Sequence, residues 1–264
     1  MILAAAQLQS RSCAIDANIT RHLELVELAA RADARLVSFA ELSITGYEPR
    51  HAQALAFDLD DHRLSVLGAC SATHDIAIAV GLPVIAHLRP RIAQLFFMPD
   101  GSRHCYFKQL LHADELPWFS RGEASMALSL DGHVIVPAIC YESVQTECAE
   151  AARQLGADVY LASVAKSAQG IEHGAACYPE LARRIGGFVL LCNTIGLQDD
   201  TLHAGCSSAW DTTGHQLGCL PADAEGLLLL NTATQKVATH LLSDASQSDC
   251  NASTGSSLAA DSAG

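Results

Sequence analysis

Aromatic side chains make up only 5% of this 264-residue sequence, too few for a platform on which bases could stack. Basic residues are scarce as well: 16 Lys and Arg stand against 29 Asp and Glu, a formal net charge of −13. No basic run offsets that balance, which argues against nucleic acid or an anionic membrane surface as a partner. No apolar run approaches the roughly 18 residues of a membrane span. The apolar start, Met1 to Leu8, lacks a basic leader and does not read as a signal peptide. Ten cysteines are present, yet no two are spaced as Cys-x-x-Cys, which removes zinc-ribbon and thioredoxin-type readings. The twelve histidines also lack metal-ligand spacing, and Gly132 and Gly214 read as turn residues and not phosphate loops. Neither a metal nor another cofactor is therefore expected, and reduced thiols point to the cytoplasm.

What remains is a hydrophobic, foldable chain, with 50% apolar residues and 17% charged. Residues 1–7 read as a buried strand. Asp16 to Ala32 carries Ile19, Leu23, Val26 and Ala30 at helical spacing. Further strands are expected at Arg35–Phe39, Ile76–Val80 (closed by Gly81-Leu82-Pro83), Asp158–Val164, Phe188–Thr194 and Gly226–Asn231. Helices are expected at 61–73, 144–155 and 175–185. Turn residues divide three hairpins: Ile92–Met98 with His104–Lys108, Met126–Leu130 with His133–Ile139, and Ser207–Asp211 with His215–Leu220. About a dozen strands alternating with helices exceed one comfortable open sheet, so two mixed sheets packed face to face are expected, with helices outside. From Ser243 to Gly264 the composition turns to Ser, Ala, Asp and Gly, which reads as a disordered acidic tail following one domain over 1–242.

Three apolar strands end on a reactive side chain: Glu41 after Leu-Val-Ser-Phe-Ala, Lys108 after Cys-Tyr-Phe, and Cys140 after Val-Pro-Ala-Ile. Singly, each is an ordinary strand-end residue. Together they make an acyl-transfer apparatus without histidine. A buried carboxylate can serve as base for a thiol, while a nearby ammonium stabilises both the thiolate and the oxyanion of a tetrahedral intermediate. A strand-to-helix turn at Cys140 would aim the Tyr141 N–H at that oxyanion.

The segments around these residues resemble the nitrilase superfamily, also called carbon–nitrogen hydrolases. Phe39-Ala40-Glu41-Leu42-Ser43-Ile44-Thr45-Gly46-Tyr47 is similar to its glutamate segment, Tyr106-Phe107-Lys108-Gln109-Leu110-Leu111 to its lysine segment, and Pro137-Ala138-Ile139-Cys140-Tyr141-Glu142 to its nucleophile segment. Cys192-Asn193-Thr194-Ile195-Gly196 and Gly205 to Asp211 resemble later strand motifs. The resemblance implies an α/β fold, a four-layer α-β-β-α sandwich, usually as a homodimer or larger homo-oligomer. It implies Glu41 as general base, Lys108 as oxyanion stabiliser and Cys140 as nucleophile, with Glu115 as a second glutamate and Glu123 the weaker claimant to that place. By family position Tyr47, Trp118, Tyr141, Glu142 and the 163–166 loop, represented by Ser163, line the pocket.

The implied activity is hydrolysis of a small carboxamide or N-carbamoyl compound through a cysteine acyl-enzyme. A nitrile hydrolase would typically show Trp where Tyr141 stands, an amide-forming acyltransferase of the membrane type would carry membrane spans, and a scaffold without activity would not need an intact Glu41–Lys108–Cys140 set. Ala40, Gln145, Thr146, Ile185, Gly186 and Thr194 depart from common family residues. They spare the three central residues and bear on the pocket wall.

Overall fold

The computed structural model describes residues 1–242; the tail from Ser243 onward lies outside the described residues. In chain order the elements are β1 (Ile2–Gln7), α1 (Ile15–Arg31), β2 (Leu36–Ser38), α2 (Ala52–Leu55), α3 (Ser65–His74), β3 (Ala77–Val84), β4 (Arg91–Phe97), β5 (Arg103–Phe107), β6 (Leu128–Leu130) and β7 (His133–Ile139). Then follow α4 (Thr146–Gln154), β8 (Val159–Val164), α5 (Ala168–Ile185), β9 (Phe188–Asn193), β10 (Ile195–Gln198), β11 (Thr201–Ala204), β12 (Ser208–Trp210), β13 (Gln216–Cys219), β14 (Gly226–Asn231) and β15 (Lys236–Leu241).

Two mixed sheets result. One has the order β15-β14-β1-β2-β3-β4-β5 and the other β13-β12-β9-β8-β7-β6, while β10 and β11 form a separate hairpin. Three parallel strands sit inside each sheet, β1-β2-β3 in one and β7-β8-β9 in the other. Strand alternation builds the layers. In β1, Leu3 and Ala5 face the second sheet, whereas Ala4 and Ala6 face α1 and α3. In β8, Val159 and Leu161 point inward, and Tyr160, Ala162 and Val164 pack against α4 and α5. The central strands therefore bury both faces while the edge strands β13 and β15 stay largely exposed, giving the four-layer α-β-β-α sandwich that the resemblance implies.

Several boundaries differ from the sequence reading. Helix α1 turns Ile19, His22, Leu25, Val26 and Ala29 inward, about one residue's rotation from the anticipated stripe, with Leu23 only partly buried. Strand β3 runs on through Gly81-Leu82-Pro83. Its pairing with β2 stops at Ala79, so Pro83 sits beside the segment that carries no β2 ladder, where a missing N–H is tolerated. Helix α5 starts seven residues earlier than residue 175. Ser167 caps it, and the inward face of Tyr178, Leu181, Ala182 and Ile185 holds it together despite two glycines and Pro179. The residues before α4 form a 3₁₀ turn, Cys140–Val144, instead of extending the helix. The β10–β11 hairpin and the edge strand β15 were not anticipated: they are short or largely exposed and carry no apolar alternation.

Candidate active site

Glu41, Lys108 and Cys140 follow β2, β5 and β7, strands drawn from both sheets, and their ends meet at one rim. After β2 the chain turns at once: the Ser43 N–H donates to the Ala40 carbonyl (3.2 Å), and Leu42 adopts a left-handed φ of +53°. This turn presses on β3 at Gly81, where a Cβ would lie 2.4 Å from the Ala40 oxygen and the Leu42 nitrogen. Only glycine lets Glu41 approach so closely. Lys108 is tied at both ends of its peptide, donating its N–H to the Ile92 carbonyl (2.9 Å) and accepting the Gly122 N–H (2.7 Å). Cys140 sits at the strand-to-3₁₀ corner with φ +50°, a conformation that holds the thiol away from the sheet. A small apolar cluster of Leu42, Ile92, Tyr106, Leu111, Phe119 and Ile139 packs the three segments against one another.

The electrostatics are set by burial. The Lys108 ammonium is fully buried between two carboxylates, 2.7 Å from Glu41 Oε1 and 2.5 Å from Glu115 Oε1. Burial acts to lower the Lys108 pKa, but Glu41 and Glu115 outweigh it and hold the amine charged well above the ordinary range. Two anions around one cation leave an excess negative charge in a dry place. Burial first, and then the Glu115 charge, push the Glu41 carboxyl up to about 7 against the pull of Lys108. Its second oxygen, Oε2, is buried without a hydrogen-bond partner.

Burial and the Glu41 charge likewise push the Cys140 thiol up to about 12, although Lys166 and Lys108 pull it down. The sequence reading anticipates a thiolate held by lysine. The resting group is a thiol, which donates to the Ala165 carbonyl at 3.9 Å, and its proton must leave during attack.

Glu115 is buried as well, and accepts from the Tyr47 hydroxyl (3.2 Å) and the His112 N–H (2.7 Å) besides Lys108. Its rival Glu123 is 82% exposed in side-chain area and pairs with Arg91 at 2.8 Å.

Cys140 and Glu115 open onto a cavity of about 370 Å³, with Tyr47 and Tyr141 on its wall. The other three anticipated contacts do not line it. Trp118 is 40% exposed and turned outward, because the chain reverses at Glu115 and buries Phe119 instead. Ser163 lies on the inward face of β8 and donates to the Phe39 carbonyl across the sandwich (2.6 Å).

Glu142 is fully buried and accepts four hydrogen bonds, from the Tyr106 hydroxyl (2.7 Å) and the N–H groups of Gln109 (2.8 Å), Leu110 (3.1 Å) and Ile139 (2.8 Å). It ties the lysine segment to the nucleophile corner. Glu142→Gln confronts one pair of donors with an amide NH₂. It should lower the unfolding free energy by about 3 kcal/mol, which urea denaturation would register.

Lys166 and His203 also line the cavity; the sequence reading included Lys166 only as the last residue of the 163–166 loop and did not include His203. Ser163 stood for that loop by family position, whereas Lys166, two residues after β8, is the member that reaches the cavity. His203 sits on the β10–β11 hairpin, for which there was no signal. A second, more open depression of about 390 Å³, lined by Glu48, Arg50 and Asp199 among others, contains none of the triad.

Residues 2–239 match the carbon-nitrogen hydrolase family. Among solved structures, the NitN amidase from Nesterenkonia sp. AN1 is 24% identical, with a TM-score of 0.82 over 88% of this chain and 92% of that one. A glutamate-to-glutamine mutant of the Nesterenkonia amidase, showing the result of Michael addition of acrylamide at its active-site cysteine, is 23% identical with a TM-score of 0.82 over 88% and 92% of the two chains. A cysteine-to-alanine mutant in complex with butyramide is 24% identical, with a TM-score of 0.81 over 87% and 89%. At these identities the likeness is one of fold. Comparison with curated proteins gives no match.

Proposed function

The chain belongs to the carbon-nitrogen hydrolase family, and from that premise we propose that it hydrolyses a small carboxamide or N-carbamoyl compound through a Cys140 acyl-enzyme. One observation carries this reading: Glu41 spends Oε1 on a charge-locked Lys108 and keeps Oε2 free, with the Cys140 thiol close enough to affect its proton affinity. In the proposed cycle Glu41 takes the thiol proton as Cys140 Sγ attacks the carbonyl carbon. Lys108 Nζ and the Tyr141 N–H hold the oxyanion. Glu41 returns the proton to nitrogen, and ammonia or an amine leaves. Glu41 then deprotonates a water that attacks the thioester carbonyl, passes that proton to the departing Cys140 sulfur as the C–S bond breaks, and the acid leaves. The cavity of about 370 Å³ suits a small molecule. Butyramide and acrylamide in the Nesterenkonia amidase structures support an amide.

The test is ammonia release from a panel of amides, N-carbamoyl compounds and nitriles, with the acyl adduct trapped by mass spectrometry. An acyl mass on the Cys140 peptide is expected; turnover with the adduct elsewhere overturns the assignment.

The pH dependence follows from Glu41. Its carboxyl, raised to about 7, is a base only when ionised. Below that value kcat/KM should fall about tenfold per pH unit, and above it should level off. A rate already flat down to pH 5 would remove Glu41 as the base.

We also propose a cytoplasmic homo-oligomer, a dimer or larger. All nine described cysteines are free, and Leu197 and Leu202 on the β10–β11 hairpin are 64% and 68% exposed. No helix among the described residues is long and apolar enough to cross a membrane. Sedimentation of the purified protein would test the assembly.

A further inference from the structure

The sequence contains only three lysines, Lys108, Lys166 and Lys236, and two of them lie at this site in a chain of net charge −13. Their situations differ. Among the described residues, every lysine ion pair is made by Lys108. Lys166 is 9% exposed, lines the cavity, and has no hydrogen-bond or ion-pair partner for its ammonium among the described residues.

Its backbone, by contrast, is firmly held. The Asn193 side chain accepts the Lys166 N–H (2.8 Å) and donates to the Lys166 carbonyl (3.1 Å), which also accepts the Ala204 N–H (3.1 Å). The stem of Lys166 lies against Gly170 in the first turn of α5, where a Cβ would come within 3.2 Å of Lys166 Cβ. A lysine nine-tenths buried, with an unpaired ammonium at the cavity and a rigid mount, favours an anion beside it.

The other charged groups around the cavity are already answered. Asp114 pairs with the His112 ring at 2.6 Å, and Glu115 is taken up by Lys108. The His173 ring contacts Cys177 Sγ at 3.6 Å. Burial pushes His203 down to about 4, so it faces the cavity neutral, with both ring nitrogens unpartnered. Lys166 is thus the charged side chain on the cavity wall that has no partner among the described residues. It sits beside Ser167 and Gly170 at the N-terminus of the 18-residue α5, whose dipole also favours an anion.

We propose that Lys166, seated beside the first turn of α5, anchors a carboxylate of the substrate, so that the preferred amides are carboxylate-bearing, typified by the monoamide of a short dicarboxylic acid. This rests on the reading of Cys140 as an amide-hydrolysing nucleophile. The scissile carbonyl lies at Cys140 and the carboxylate at Lys166. Cys140 and Lys166 line the same cavity of about 370 Å³, and the Cys140 thiol contacts the carbonyl of Ala165, the neighbour of Lys166, so a short molecule spans the two points. His203, neutral and unpartnered, is available to the same end of the substrate.

The experiment compares glutaric acid monoamide with glutaric diamide, which has the same length but no charge, on the wild type and on Lys166→Met. The wild type should favour the monoamide by at least about tenfold in kcat/KM, mainly through KM. Lys166→Met should raise KM for the monoamide at least about tenfold more than for the diamide. Equal use of the two amides by the wild type, or an equal loss on both in the variant, would overturn the proposal while leaving the hydrolase reading in place. If neither amide releases ammonia, the reading of Cys140 as the nucleophile for such amides fails, separately from the anchor. Calorimetry on the wild type then decides the anchor: glutarate should bind at least about tenfold more tightly than pentanoate, and equal or absent binding of the two would refute a carboxylate site at Lys166.

Discussion

Cys140→Ala should release no measurable ammonia from an amide that the wild type turns over, a loss of at least about 10⁴-fold, while the protein stays folded. The chemistry leaves no substitute. Other cysteines lie in different places: Cys192 is buried in the sandwich with its thiol on the Ala6 and Ser38 carbonyls, both at 3.0 Å, and Cys13 and Cys219 are exposed. The structural cost is small because one sulfur is removed at the edge of a cavity, and alanine accepts the φ of +50° about as well as cysteine. The melting temperature should therefore stay within about 3 °C of wild type, corresponding to less than about 1 kcal/mol. Ammonia assay and thermal melt on the same preparation check both halves. Residual turnover above one part in a hundred would mean that the thiol is not the nucleophile.

Glu115→Gln should lower kcat by at least about tenfold, or about 1.4 kcal/mol in barrier, while Glu123→Gln leaves it near wild type. The contrast is one of environment. Glu115 is buried against Lys108, Tyr47 and the His112 N–H, whereas Glu123 meets Arg91 at the surface. Two effects combine in the Glu115 variant. Lys108 loses one of the two carboxylates that aim its ammonium. Glu41 loses a neighbouring negative charge that raised its pKa, so it becomes a weaker base. The second effect has its own signature: with Glu115 neutral, the acid limb of the pH–rate profile should move below its wild-type midpoint near 7. A fall in kcat with an unmoved limb would assign Glu115 to positioning alone. A crippled Glu123→Gln beside an active Glu115→Gln would reverse the two residues.

How far the site was legible depends on how local its signals are. Glu41, Lys108 and Cys140 each interrupt an apolar strand, a break visible within a few residues, and the structure gathers all three at one rim. Glu115 was identified by its family segment, and the fold returns it to Lys108 across a short loop. Trp118 shows the limit of that logic: three residues from a buried glutamate, it points to solvent because a single turn decides which of Trp118 and Phe119 goes inside. Ser163 shows another, since period-two alternation places it on the inter-sheet face and leaves Lys166, past the strand end, to meet the cavity.

The sequence alone pointed to two mixed sheets face to face with helices outside, because hydrophobic runs and turn residues act over a few neighbours and the central strands had to bury both faces. It also singled out Glu41, Lys108 and Cys140, since each ends an apolar strand in family order, and the structure brings the three together. Their behaviour was decided by tertiary structure. Whether Cys140 rests as thiol or thiolate depends on how much water and which charges surround it, and those arrive from residues about 25 to 100 positions away, such as Lys166 and Glu41. The same holds for Glu142, whose four donors come from two separate segments, and for Lys166, whose lack of a partner can be seen only once every neighbour is in place. Propensity and pattern are local quantities, whereas proton affinity and unmet charge are sums over everything the fold brings near.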